Sequence, residues 1–216
     1  MGTIRDYDTY IFDLDGTLLD TLGDLAASVN YALQRYGLPQ HSRDEVRRMV
    51  GNGVRMLMER AVTGGSQHPL FAAAFDAFRQ HYMEHSLDTT CPYEGITEML
   101  TELKKQGKHT AVVSNKFDAA TKSLCQHFFS GLVDVAIGES EHVRKKPAPD
   151  TVLEVMRQVG ATKEQVVYIG DSDVDIATAA NCGIPCISVL WGFRDRDFLL
   201  AHGATSLVEK PSEILE

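Results

Sequence analysis

The chain has 216 residues, 44% of them hydrophobic and 24% charged. That is enough for a buried core, in one large domain or in one domain carrying a smaller insertion. The formal net charge of -9 argues against general binding of a nucleic-acid backbone, while a local basic pocket can still hold a small anionic substrate.

No N-terminal basic stretch is followed by an apolar run, and no apolar run approaches ~18 residues. A soluble, cytoplasmic protein without a membrane partner is expected. Cys91, Cys125, Cys182 and Cys186 include no C-x-x-C pair and are expected to be reduced thiols. The eight histidines are read as scattered and are not expected to bind a metal.

Residues 9–12 are a short β-prone run that ends on Asp13, as a buried strand would. Thr21 is placed to cap a helix over 21–36, stopped by Gly37. Ser42 and Glu45 read as the capping box of a second helix. Gly51-Asn52-Gly53 breaks it, and a third helix covers 54–62. A fourth, over about 69–87, carries Phe71, Phe75, Phe78 and Tyr82 along one side, as helix packing requires.

After Pro92 the pattern changes. Helices are predicted at 96–106, 119–127, 150–159, 173–180 and 195–202. Strands are predicted at 110–113, 133–137, 166–169, 186–189 and 206–208. Such alternation predicts an α/β fold: a Rossmann-like parallel sheet with helices on both faces. The helical stretch interrupts it after the first strand, so 1–19 and 91–216 are assigned to the core and 20–90 to an inserted small helical cap.

In open parallel sheets, ligands bind beyond the carboxyl ends of the strands. The polar residues found there are Asp13 and Asp15 after the first strand, Ser114 and Asn115 after the second, and Asp171 after a later one. Lys146 lies in a loop before a helix, held by Pro147. Carboxylates gathered at ~4 Å repel by about 4 kcal/mol at an effective dielectric of ~20. A hard divalent cation relieves that repulsion, and oxygen-only donors favour Mg2+ over Zn2+. Lys146 supplies a point charge for phosphoryl oxygens, and Ser114 and Asn115 supply neutral donors. Asp13 is then suited to be a nucleophile, and Asp15 to move protons to and from the leaving group and water.

Asp13-Leu-Asp-Gly-Thr17, Ser114-Asn115, Lys146-Pro147 and Gly170-Asp171-Ser172-Asp173-Val174-Asp175 resemble, in order, the four motifs of the haloacid dehalogenase superfamily. The resemblance implies that Asp13 is the nucleophile and a metal ligand. Asp15 is then the general acid/base, with its backbone carbonyl on the metal. Thr17 would hydrogen-bond near the nucleophile and fix the turn. Ser114 and Lys146 match the phosphoryl binders, Asp171 the second metal carboxylate, and Asp175 the outer carboxylate. An acid at position 15 fits phosphatases and phosphomutases rather than halide-removing members. Val50-Gly-Asn-Gly53, Pro92-Tyr93-Glu94-Gly95, Ser114-Asn-Lys116 and Trp191-Gly192-Phe193 look most like the phosphoglycolate phosphatase group. Gly51 and Gly53 either line the substrate or only break a helix. The expected activity is hydrolysis of a small phosphorylated metabolite. A β-phosphoglucomutase-type transferase, a pyrophosphatase and a non-catalytic phosphate-binding module remain as alternatives.

Overall fold

In the computed structural model, residues 6–141 and 143–215 are described. They form two compact units, one comprising residues up to Leu19 together with Pro92 onward, the other Asp20–Cys91.

The first unit is built on strands β1 (Thr9–Phe12), β4 (His109–Phe117), β5 (Val135–Glu139), β6 (Val166–Gly170), β7 (Cys186–Val189) and β8 (Leu207–Val208). They form one sheet in the order β5-β4-β1-β6-β7-β8, and every pairing is parallel. β1 is buried at all four positions and β6 at all five. Near-continuous apolar strands are what a sheet covered on both faces requires. One face packs Tyr10, Phe12, Val167 and Ile169 against Leu100 and Leu103 of helix α5 (Ile96–Lys105) and Phe129 of α6 (Asp118–Phe129). The opposite face packs Ile11, Val113 and Tyr168 against Val155 of α7 (Asp150–Val159) and Cys182 of α8 (Asp173–Cys182). A short helix α9 (Arg196–Ala201) follows, its Asp195 side chain accepting from the Phe198 N–H.

The chain leaves β1 toward β4 and returns from β5 to β6 on the other side. This reversal opens a crevice at the carboxyl ends of β1 and β6. Register places Phe12 beside Ile169, so Asp13 and Asp171 emerge next to each other.

β4 runs past the predicted end at Val113 to Phe117, because its pairing with β5 resumes at Phe117–Glu139 after a register shift. Ser114 and Asn115 therefore lie in an irregular strand segment rather than in the loop beyond it. The predicted strand at 133–137 is displaced to 135–139 for the same reason.

The second unit contains α1 (Leu22–Arg35), α2 (Arg43–Met49), α3 (Val54–Ala61) and α4 (Phe71–His85). The two-residue strands β2 (Leu19–Asp20) and β3 (Cys91–Pro92) pair with each other. The Ser42–Glu45 capping box is present. Thr21 precedes α1, but its hydroxyl makes no capping bond and is buried without a partner. A different residue secures this helix. Asp24, 2% exposed, accepts from the N–H and hydroxyl of both Thr89 and Thr90 at 2.6–3.0 Å. A buried carboxylate with four donors is satisfied rather than costly. Phe71, Phe78 and Tyr82 of α4 are buried. All four cysteines are free thiols, and no described helix is long and apolar enough to cross a membrane.

Candidate active site

The carboxylate–lysine cluster and its supports belong to the α/β unit. Asp13 follows β1 directly. Its backbone N–H donates to the Ile169 carbonyl of β6 at 2.9 Å, and its Oδ1 accepts from the Leu14 N–H at 2.7 Å. The turn behind it needs a glycine. Gly16 has φ +87°, and a Cβ there would lie 2.4 Å from Asp171 Oδ2. Gly170 and Gly192 are equally confined, since a Cβ on either would lie 2.3 Å from Asp175 or Asp171 side-chain carbon.

One carboxylate oxygen each from Asp13, Asp171 and Asp175 lies within 4.8 Å of the others. Lys146 sits among them, 3% exposed. Its Nζ is 2.8 Å from Asp13 Oδ1 and 2.8 Å from Asp175 Oδ1, and it donates to the Tyr168 hydroxyl at 3.0 Å. The Asn115 side-chain N–H donates to the Lys146 carbonyl at 3.0 Å, which pins the lysine's loop.

Asp175 has both oxygens engaged. Oδ1 meets Lys146 and the Tyr168 hydroxyl, which donates at 3.2 Å. Oδ2 accepts from the Ser172 N–H and hydroxyl at 3.1 and 2.6 Å. Asp171 Oδ2 accepts from the Phe193 N–H at 2.7 Å. These bonds use neither Oδ2 of Asp13 nor Oδ1 of Asp171, so both oxygens are available as ligand atoms.

Burial pushes the Asp13 carboxyl well above its ordinary range; Lys146 opposes the rise, and Asp175 and Asp171 add to it. Burial pushes Asp171 up to about 7, with Asp175 adding to the rise. For Lys146, burial acts downward, but the charges of Asp13 and Asp175 hold it well above the usual lysine value. Asp13 pushed toward neutrality and its partner Lys146 held charged describe one imbalance. One ammonium, in contact with two of the three carboxylates, is set against the cluster, so the lysine keeps its proton and the carboxylate side gathers another. A divalent cation would supply the missing charge. The donors are all oxygen, with no thiolate or imidazole in the cluster, so the residues fit a hard ion of the Mg2+ kind.

Asp15 does not join this cluster. Its carboxylate is held by Lys116, with Nζ 3.0 Å from Oδ1 and 3.4 Å from Oδ2. Lys116 is itself 5% exposed. Ser114 is buried, and its hydroxyl accepts from the Lys116 N–H at 3.2 Å. Thr17 departs from expectation. Its hydroxyl is buried without a hydrogen-bond partner. The turn is fixed instead through its backbone, whose carbonyl accepts from Trp191 Nε1 at 2.9 Å. Gly51 and Gly53 lie in the helical unit with φ of +126° and +86°. The Gly51 carbonyl accepts from Arg60 at 3.0 Å, a structural tie for that turn.

Lys116 and Tyr168 were not singled out as site residues by sequence. Tyr168 reads as an ordinary apolar strand residue between Val167 and Ile169. Lys116 had one signal, its place directly after Ser114-Asn115.

The sequence matches the profile of the haloacid dehalogenase-like hydrolases over residues 10–189. The chain belongs to that family. Among curated members, it is 34% identical to the phosphoglycolate phosphatase of Aquifex aeolicus over 184 residues, covering 85% of this chain and 84% of the relative. It is also 34% identical to the phosphoglycolate phosphatase of Pseudomonas putida over 212 residues, covering 95% and 75%. Among solved structures, a provisionally named phosphoglycolate phosphatase from Lactobacillus delbrueckii subsp. bulgaricus superposes with a TM-score of 0.93 at 33% identity, over 97% of both chains. The fold class expected from the sequence is therefore that of the haloacid dehalogenase-like hydrolases. The matched region contains all four motifs, including every residue of the carboxylate–lysine cluster.

Proposed function

We propose that this hydrolase cleaves a small phosphate monoester, with 2-phosphoglycolate as the first candidate, through a phosphorylated Asp13. Support comes from the joint position of Asp13, Asp171, Asp175 and Lys146 at the β1/β6 crevice in a chain 34% identical to phosphoglycolate phosphatases of two organisms. Asp13 and Asp171, with the Asp15 carbonyl, would hold Mg2+. When bound, the ion supplies positive charge for the phosphoryl oxygens and for the crowded carboxylates.

An Asp13 carboxylate oxygen attacks phosphorus, and the bond from phosphorus to the ester oxygen breaks. Asp15, as the acid, protonates that departing oxygen. Asp15, now a carboxylate, then takes a proton from water. The water oxygen attacks phosphorus, the bond to Asp13 breaks, and inorganic phosphate leaves. Lys146 keeps a fixed positive charge beside Asp13, and Asp175 and Tyr168 hold that ammonium in place. Ser114 is assigned as a phosphoryl donor. Asn115 holds the Lys146 loop through the bond described above, and the second N–H of its amide is assigned as a phosphoryl donor. Lys116 keeps the Asp15 carboxylate in position between the two proton transfers. The helical unit is assigned the role of the family's small cap, and Gly51 and Gly53 are kept as candidate substrate-binding residues of that cap.

The test is phosphate release from 2-phosphoglycolate, pyrophosphate, a hexose 1-phosphate and an aryl phosphate, each with and without Mg2+. The expected result is Mg2+-dependent release, fastest from 2-phosphoglycolate. Turnover on 2-phosphoglycolate no better than on the aryl ester would remove that substrate. Conversion of the hexose 1-phosphate to the 6-phosphate would indicate transfer instead of hydrolysis.

A further inference from the structure

Lys146 and Lys116 are both buried, but they serve different carboxylates. Lys146 touches Asp13 and Asp175. Lys116 stands outside that cluster and touches Asp15, with its own side chain 3% exposed and that of Asp15 18%. Its Nζ reaches both carboxylate oxygens, at 3.0 and 3.4 Å. Among the described residues, Lys116 is the hydrogen-bond partner of that carboxylate.

Lys116 is fixed at its backbone. It sits in the irregular end of β4, just before α6. Its N–H donates to the Ser114 hydroxyl at 3.2 Å, and its carbonyl accepts from the Thr121 hydroxyl of α6 at 3.4 Å. Gly138 of β5 packs against this corner. A Cβ there would lie 2.6 Å from the Lys116 carbonyl oxygen and 2.5 Å from Asp118 Cα. The Gly138 N–H donates to Asp118 Oδ1 at 3.0 Å, which ties the first turn of α6 to β5. The Asp15 backbone is held too, by its bridge to Leu19 and by the bond from the Gly16 N–H to the Leu19 carbonyl at 2.9 Å. With both backbones held, the ammonium sets where the carboxylate points. A carboxylate offers about four lone-pair sites, so two bonds to Lys116 leave a site for the proton that Asp15 must carry.

We propose that Lys116 is a positioning residue that aims Asp15 at the departing ester oxygen and thereby sets the range of esters cleaved: alkyl phosphates need it, and activated aryl phosphates do not. The proposal rests on the reading of Asp15 as the acid. As Asp13 forms its bond to phosphorus, the bond to the ester oxygen breaks and its electron pair goes to that oxygen. A departing alkoxide takes the Asp15 proton, whereas a nitrophenolate leaves without one. General acid catalysis contributes about 100- to 10,000-fold, and a misplacement of ~1 Å costs about 100-fold. Loss of the anchor therefore slows alkyl esters and spares aryl ones.

The experiment compares kcat/KM in saturating Mg2+ on 2-phosphoglycolate, ethyl phosphate and p-nitrophenyl phosphate, because kcat/KM reports the steps up to loss of the leaving group. Lys116→Met should lose about 100-fold on both alkyl esters and less than about threefold on the nitrophenyl ester. Lys116→Gln, which keeps a neutral donor, should show the same pattern to a smaller degree. Circular dichroism identical to wild type establishes that a variant is folded. Asp15→Asn should share the ester preference, and adding Lys116→Met to it should cost nothing further on ethyl phosphate, since Lys116 acts through Asp15. Equal loss on all three esters in folded variants overturns the proposal. So does loss confined to 2-phosphoglycolate, which would mean contact with the substrate's own carboxylate. An ester preference in Asp15→Asn but not in the Lys116 variants removes Lys116 alone; its absence in Asp15→Asn removes the acid assignment as well.

Discussion

Replacing Lys146 by methionine keeps the length of the side chain and removes the one ammonium that touches Asp13 and Asp175, both at 2.8 Å. The variant leaves three carboxylates within 4.8 Å of one another. At that separation two full charges repel by about 3.5 kcal/mol at an effective dielectric of ~20. Asp175 is wholly buried and cannot turn to water. Breaking a buried pair from one side costs about 3–5 kcal/mol, which for a chain of this size corresponds to roughly 6–20 °C in Tm. The loss should depend on pH in a defined sense. Without Lys146 the carboxylates take up protons more readily in the folded state, so protonation relieves the variant as pH falls from 8 to 5. Calorimetric melting of both proteins in EDTA at the two pH values measures this. The difference in Tm should be large at pH 8 and smaller at pH 5, and Mg2+ should stabilise the variant more than wild type. Equal melting temperatures at pH 8, or a gap that widens on acidification, would refute the electrostatic account of the cluster.

Tyr168→Phe removes the hydroxyl between Lys146 and Asp175; the fold should persist with a loss of about 1–3 kcal/mol, and turnover should fall about tenfold, both read by melting and steady-state kinetics. Gly16→Ala puts a Cβ 2.4 Å from Asp171 Oδ2 at φ +87°, so Tm and Mg2+ affinity should drop together, the strain alone costing about 1–3 kcal/mol. In the metal-free protein Asp171 is raised from 3.8 to about 7 by burial. The folded state then holds a proton that the unfolded chain has released, so metal-free stability falls as pH rises from about 4 to 7, by at most about 4 kcal/mol. Mg2+ binding should release protons below pH 7, seen as a dependence of calorimetric heat on buffer ionisation; heats independent of the buffer would contradict it.

The parts of the site that sequence exposes are those at strand ends. Asp13 and Asp171 follow runs whose apolar character comes from burial on both faces, so a carboxylate directly after such a run stands out. The tie between Lys146, Tyr168 and Asp175 does not stand out. Tyr168 has the composition of any central-strand residue, and only the register of β6 with β1 and the placement of α8 bring its hydroxyl to Lys146. Asp24 carries no signal in the sequence for a similar reason: its four donors come from Thr89 and Thr90, distant in sequence and without a local motif. Thr21 and Thr17 show the converse. Both residue types suit a cap or a turn, but their hydroxyls are buried without partners, and backbone bonds do the work expected of the side chains. The reach of β4 through Ser114 to Phe117 depends on pairing with β5, a long-range contact that propensity does not contain.

The phosphorylated aspartate is open to direct observation. Wild-type protein mixed with 2-phosphoglycolate and Mg2+ and quenched in acid within a turnover should yield a peptide containing Asp13 that carries one added phosphoryl group by mass spectrometry, with none in Asp13→Asn. Full hydrolytic activity in Asp13→Asn, or a phosphoryl group found on another residue, would contradict the account.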